Sequence, residues 1–264
     1  MKILDSIIDF PNKTWGEDRL FVSKNQAGVI DGSSPINVIP VKGYQSQAEW
    51  LSDNLSRGLS EDSTTKLPIA CKTITDNLKA YNSSIIEQFN EYNSPCAVIA
   101  GVQTVENELY GYVLGDCTLS IQLKTGEIKS YTDKRINYYS NLTKELKNKA
   151  LLSGEDSKEA VKRQMTENRK SMNIEGGFWT VAFKGEFQDQ FVECHYKTEE
   201  VKRILLFSDG FERGFINSLY SIHEVIAGET SLSRSLSILR DWENSVTGAD
   251  VKKHDDVSAV LIEL

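Results

Sequence analysis

The chain has 264 residues, 39% of them hydrophobic and 26% charged, which is the composition of a globular protein large enough to bury a core. Its formal charge of −8 argues against a general nucleic-acid binder, which needs a basic face, and against attraction to anionic membranes. There is no 18-residue apolar run to span a bilayer, and Asp5 and Asp9 interrupt the apolar start, so neither a membrane segment nor a signal peptide is expected; the expected location is cytoplasmic.

In chain order, the runs Leu20–Val22 and Gly28–Ile30, separated by a polar turn at Lys24–Asn25, predict an antiparallel pair. Helical spacing follows over 46–60, at Ala48, Leu51, Leu55 and Leu59. It recurs over 70–90, at Ile74, Leu78, Tyr81, Ile85 and Phe89, with Pro68 suited to the helix start. Four short strands, Cys96–Val102, Glu108–Leu114, Thr118–Leu123 and Glu127–Tyr131, are divided by turn residues. Residues 143–170 are charged and helix-prone with few large apolar side chains, which reads as a solvated helix pair or a mobile, partly disordered insert. Strands return at 178–183, 190–196 and Ile204–Phe207, helices at 211–226 and 230–245, and a last strand at 257–264. Sheets alternating with helix pairs imply an α+β fold, sheets inside and helices outside, in one domain over 1–264. Cys71, Cys96, Cys117 and Cys194 are dispersed with no CxxC spacing and read as reduced thiols.

The chemistry lies in where the acids fall. Glu17-Asp18 precedes Leu20–Val22, Asp31-Gly32 follows Gly28–Ile30, and Gly115-Asp116 follows Tyr112–Leu114. Asp209-Gly210 follows Ile204–Ser208, and Asp255-Asp256 precedes Val257–Leu261. Any one Asp-Gly is a common turn signal. Together, buried strands would gather these carboxylates at one sheet edge, where they repel and lose hydration unless a divalent cation neutralises them. Oxygen-only donors suit magnesium or manganese, and with three histidines in the chain, of which only His254 stands beside one of these acids, zinc is disfavoured.

The ordered set Glu17-Asp18, Asp31-Gly32, Gly115-Asp116, Ser208-Asp209-Gly210 and Asp255-Asp256-Val257-Ser258 resembles the metal-dependent protein phosphatases of the 2C type and stretches over nearly the whole chain. The resemblance implies two stacked antiparallel β-sheets flanked by pairs of α-helices, with a binuclear Mn²⁺ or Mg²⁺ centre between the sheets. It implies that Asp31 bridges the two ions, that Asp209 and Asp255 hold the first, and that Glu17 and the Gly32 carbonyl serve the second. Asp18 would be a water-bridged partner, Asp116 would support a third, weaker ion, and Asp256 would orient Asp255. Lys13 stands where many members carry a phosphate-binding arginine, and it offers a point charge without the bidentate fork.

The implied activity is hydrolysis of phosphoserine and phosphothreonine in a phosphoprotein, opposite a serine/threonine kinase, by a metal-activated water. The departures are Ser33 where some members have a histidine, Cys117 in place of the serine after Gly-Asp, and the charged stretch of about 132–177, in the flap position, which does not follow the family pattern. The substitutions at Lys13 and Ser33 keep open a catalytically weak relative acting as a binding or regulatory module. Another acid-rich metal hydrolase and a purely structural protein, its aspartates serving as caps and turns, are the remaining alternatives.

Overall fold

The structure is a computed structural model that describes residues 1–33, 37–39, 41–62, 64–90, 92–153, 156–246 and 254–264. Its strands are β1 (Lys2–Asp9), β2 (Arg19–Val22), β3 (Gln26–Ser33), β4 (Cys96–Val105), β5 (Glu108–Leu114), β6 (Thr118–Leu123), β7 (Ile128–Thr132), β8 (Val181–Ala182), β9 (Val192–Lys197), β10 (Val201–Phe207) and β11 (Val257–Glu263). Its helices are α1 (Gln47–Glu61), α2 (Leu67–Tyr81), α3 (Ser83–Ile86), α4 (Arg135–Ser153), α5 (Ser157–Lys170), α6 (Asp209–Ile216), α7 (Ile222–Ile226) and α8 (Leu232–Ser245).

One sheet has the order β1-β11-β10-β6-β7; the other has β2-β3-β4-β5-β9, with β8 paired to β4. All pairings within both sheets are antiparallel. Central strands are apolar on both sides because both sides are covered. Along β4, Val98, Ala100 and Val102 face the other sheet, where they meet Leu206 and Val260, while Ala97 and Ile99 face α1 and α2. Along β10, Ile204 and Leu206 point between the sheets, and Leu205 and Phe207 point to α6 and α8. The result is an α-β-β-α stack with three apolar layers, as expected from the sequence.

Several expectations are corrected in detail. The helix expected over 70–90 begins at Leu67, with Pro68 in its first turn, and ends at Tyr81; Asn82 separates it from the short α3. The helix expected over 211–226 is two, α6 and α7, broken at Asn217–Ser221, where Ser218 takes a positive φ of 54°. The strand expected at 178–183 shrinks to β8. The amino terminus forms a strand that the residue pattern does not announce: β1 pairs with β11, Asp5 accepts from the Leu232 N–H at 2.8 Å to cap α8, and Asp9 accepts from Arg240 Nε at 2.9 Å. The charged stretch is a helix pair, α4 and α5, with residues 154 and 155 outside those described. All four cysteines are free.

Candidate metal centre

Strand direction brings the five acidic motifs together. β3 and β5 both pair antiparallel to β4, so they run the same way and their carboxyl ends, carrying Asp31 and Asp116, meet one edge. β2 is antiparallel to β3, which puts Glu17 and Asp18, just before it, at that edge too. In the facing sheet, Phe207 at the end of β10 pairs with Ala259 near the start of β11, so Asp209, just after β10, and Asp255, just before β11, lie at the same end of that sheet.

The two sheets are tied together there. The Ser258 hydroxyl donates to Asp18 Oδ2 at 2.8 Å, and the Glu17 N–H donates to Asp256 Oδ2 at 2.9 Å, contacts that span about the full length of the chain. Ser208 N–H donates to Ser258 O, and Ser258 N–H donates to Ser208 Oγ, both at 3.0 Å, locking the ends of β10 and β11. Arg19 holds the carbonyls of Gly16 and Asp18 at 2.7 and 2.8 Å, fixing the segment that carries Glu17. Ser46, the N-cap of α1, accepts from Glu49 N–H and donates its hydroxyl to Glu17 Oε1 at 2.5 Å. A helix cap thereby orients a candidate ligand.

Two glycines are required by close approach. A Cβ on Gly32 would lie 2.8 Å from the Glu17 carbonyl oxygen, and one on Gly210 would lie 2.0 Å from the Asp256 carbonyl oxygen. Gly115 has φ +82°, and its turn is closed by Asp133, whose N–H donates to Gly115 O at 3.1 Å and whose Oδ2 accepts from Gly115 N–H at 3.3 Å. Arg135 grips the buried Asp133 carboxylate through Nε and Nη2, both at 2.8 Å.

Electrostatics report the same convergence. Burial pushes the Asp18 carboxyl up to about 8; hydrogen bonds from Ser258 and Ser208 oppose this, and the charges of Asp209 and Asp256 add to it. Asp31 is half-buried as a residue, with its carboxyl turned inward. Burial drives it well above the usual carboxylate range, and Asp18, Asp209, Asp116 and Asp255 push it further. Asp116 rises to about 7, again by burial first and then by Asp209. The buried Cys117 thiol is raised by burial and then by Asp31, Asp116, Asp18 and Asp209, so it lies near the same carboxylates.

Thus Asp18, Asp31, Asp116, Asp209 and Asp255 share one electrostatic neighbourhood, and Glu17 and Gly32 adjoin it through backbone contact. Among the described residues, no three acids or histidines close into a finished metal cage; the carboxylates interact through charge around a common space. The donor set nevertheless fits a hard divalent cation: all donors are oxygen, and the leading influences on Asp31 all destabilise its charge in the absence of a cation.

Asp256 contacts Asp255 through its backbone, and its carboxylate has other partners. It accepts from Glu17 N–H and pairs with Lys13 Nζ at 3.6 Å, while its backbone N–H donates to Asp255 Oδ1 at 3.1 Å. Lys13 also lies 5.0 Å over the Trp15 ring.

His254 belongs to a group that the sequence does not reveal. The buried Glu243 of α8 accepts from Arg213 at 2.5 Å and Arg240 at 2.6 Å and faces His254 Nδ1 at 2.9 Å, and Arg240 also donates to the Asp255 carbonyl at 2.8 Å. The network sets the backbone of Asp255 from behind. Glu212 is a further site residue absent from the sequence motifs. It stands three residues after Asp209 on one face of α6, a spacing readable in the sequence, and it is raised by burial and by Asp209.

No family model and no curated protein matches the sequence. Solved structures do. The serine/threonine phosphatase Stp1 from Staphylococcus aureus aligns over 100% of this chain and 96% of its own, at 15% identity and TM-score 0.56. The Mycobacterium tuberculosis serine/threonine phosphatase PstP/Ppp covers 98% and 97%, at 14% identity and TM-score 0.57. The catalytic domain of PstP, in complex with 2 manganese ions, covers 98% and 96%, at 12% identity and TM-score 0.52. The chain has the fold of the bacterial serine/threonine protein phosphatases, the fold its ordered acidic motifs imply.

Proposed function

We propose that the chain is a metal-dependent phosphoprotein phosphatase acting on phosphoserine and phosphothreonine. The observation that carries this reading is the gathering of Asp18, Asp31, Asp116, Asp209 and Asp255 at one edge of the stacked sheets, three of them raised first of all by burial. Asp31, Asp209 and Asp255, with Glu17 and the Gly32 carbonyl, would hold two Mn²⁺ or Mg²⁺ ions; Asp116 would serve a third, with Glu212 beside it. When bound, such ions supply a water acidified enough to attack phosphorus near neutral pH and offset charge on the phosphoryl oxygens.

The chain's own residues do the positioning. Ser46 and Asp256 hold Glu17, the Glu243 network holds the Asp255 backbone, and Ser258 holds Asp18. Lys13, 44% exposed at its side chain and paired with Asp256, would meet a phosphate oxygen as a point charge. Ser33 offers no general acid, so the leaving oxygen would take its proton from water or another group.

A weakly catalytic binding module of the same fold has one observation in its favour, the open arrangement of the acids. Turnover of p-nitrophenyl phosphate and of a phosphothreonine peptide, with Mn²⁺, Mg²⁺ or EDTA, separates the two. Metal-dependent hydrolysis that disappears in Asp209→Asn supports the phosphatase. No turnover in any metal by folded protein supports the module.

A further inference from the structure

A cleft of about 510 Å³ opens where the α4–α5 hairpin meets α2 and α3. Its walls are apolar and aromatic, with Phe89, Met172 and Phe183, and it carries three cations, Lys79, Arg169 and Lys184. Phe183 stacks on Trp50 at 5.7 Å and on Phe89 at 5.8 Å, which makes that wall rigid. Arg169 is buried and held in place by donating to the Ser94 carbonyl at 2.7 Å, and Lys79 Nζ donates to the Phe183 carbonyl at 3.4 Å. Among the described residues, none of the three cations is in an ion pair. Three positive groups around one aromatic cleft stand out on a chain of net charge −8.

The cleft is on the same side of the molecule as the acidic edge. Ser94, on its wall, lies four residues before Val98, which pairs with Asp31 across β3 and β4. Four residues of chain span at most about 14 Å. A polypeptide whose phosphorylated residue sits at the acids would therefore bring a side chain some four positions away into this cleft.

We propose that the cleft is a substrate-docking site for an extended acidic segment of the phosphoprotein, with an aromatic or aliphatic side chain against the wall of Phe89, Met172 and Phe183 and a carboxylate on the lysines. The proposal rests on the phosphatase reading for what occupies the acidic edge. Charge complementarity selects the occupant: a cationic, aromatic-walled cleft favours an acidic peptide and disfavours a basic one.

The test uses phosphothreonine peptides with Glu-Phe-Glu centred four residues before or after the phosphothreonine, each compared with its Lys-Phe-Lys counterpart. All are measured on the intact chain and on the double variant Lys79→Ala, Lys184→Ala. At least one acidic peptide is expected to show a KM roughly tenfold below its basic counterpart, a preference the double variant removes while p-nitrophenyl phosphate turnover is unchanged. Equal KM values for all peptides on the intact chain, with p-nitrophenyl phosphate still hydrolysed, would overturn the docking site and leave the phosphatase standing.

If neither peptide nor p-nitrophenyl phosphate is turned over, the phosphatase reading fails, and the cleft is judged by fluorescence anisotropy of a labelled, unphosphorylated Glu-Phe-Glu peptide. Binding weakened about tenfold in the double variant supports the site. Binding that is absent or unaffected overturns it.

Discussion

The two long helical hairpins are held in opposite ways. The pair α1 and α2 buries Ala48, Trp50, Leu51, Leu55, Leu59, Leu67, Ala70 and Cys71 against the outer face of a sheet. At about 25 cal/mol per Å² of apolar surface removed from water, that face anchors the pair. Its first turn, through Ser46, orients Glu17. The pair α4 and α5 buries only Ala150, Ala160 and Arg169 and leaves Leu152 90% exposed. It attaches through a small cluster of Cys96, Met172, Phe178 and Ala182 and the Arg169–Ser94 bond. The lesson is a division of labour: the apolar hairpin fixes the acid edge, and the polar hairpin, freed from core packing, is available to shape what approaches it.

That division can be broken most sharply at the acid edge. Asp209→Asn is expected to lower metal-dependent turnover by about 10³-fold, equivalent to about 4 kcal/mol of lost transition-state stabilisation, with the fold intact by circular dichroism. Wild-type-like turnover would remove Asp209 from the centre.

Behind the edge, Glu243→Ala would leave Arg213, Arg240 and His254 facing a vacated buried position. Breaking such a group costs about 3–5 kcal/mol, read as a lower urea midpoint at unchanged slope.

The acids also give the chain a pH signature. Asp18 and Asp116 titrate at about 8 and about 7 in the folded, metal-free chain, against 3.8 unfolded. The folded state thus binds more protons across roughly pH 4 to 8, so stability should fall as pH rises through that window. In EDTA, Tm is expected to drop by roughly 5–10 °C between pH 5.5 and pH 8, and saturating Mn²⁺ should remove the drop because it favours the ionised carboxylates. A flat profile in EDTA would contradict the crowded, buried acids.

Lys13→Arg, which adds a bidentate fork, should lower KM for a phosphopeptide about threefold at similar kcat. Leu152→Ser on the polar hairpin should change stability by no more than about 0.5 kcal/mol, whereas a larger loss would mean that α4 packs more tightly than its exposure implies.

Much of this is legible in the amino-acid sequence by itself. Acids that abut apolar strands are readable because a strand's period of two and its bounding turn residues are local properties, and antiparallel pairing then sends alternate strand ends to one edge. The helices at 46–60 and 230–245 are readable for the same reason. The terminal strand β1 is not, because its outer-edge position leaves a weak burial pattern and its Asp5 and Asp9 read as interruptions until α8 is seen docked on them.

Which partner each polar group takes is settled by the packing of the whole fold. The carboxylate of Asp256 serves Glu17 and Lys13, on the far side of 239 and more residues, and Asp18 is buried against Ser258. Glu243 gathers two arginines and a histidine, and Lys79, Arg169 and Lys184 meet around one cleft. Residue spacing encodes the face that a side chain presents, but partners this far apart in the chain are chosen by how the sheets stack and where the hairpins dock.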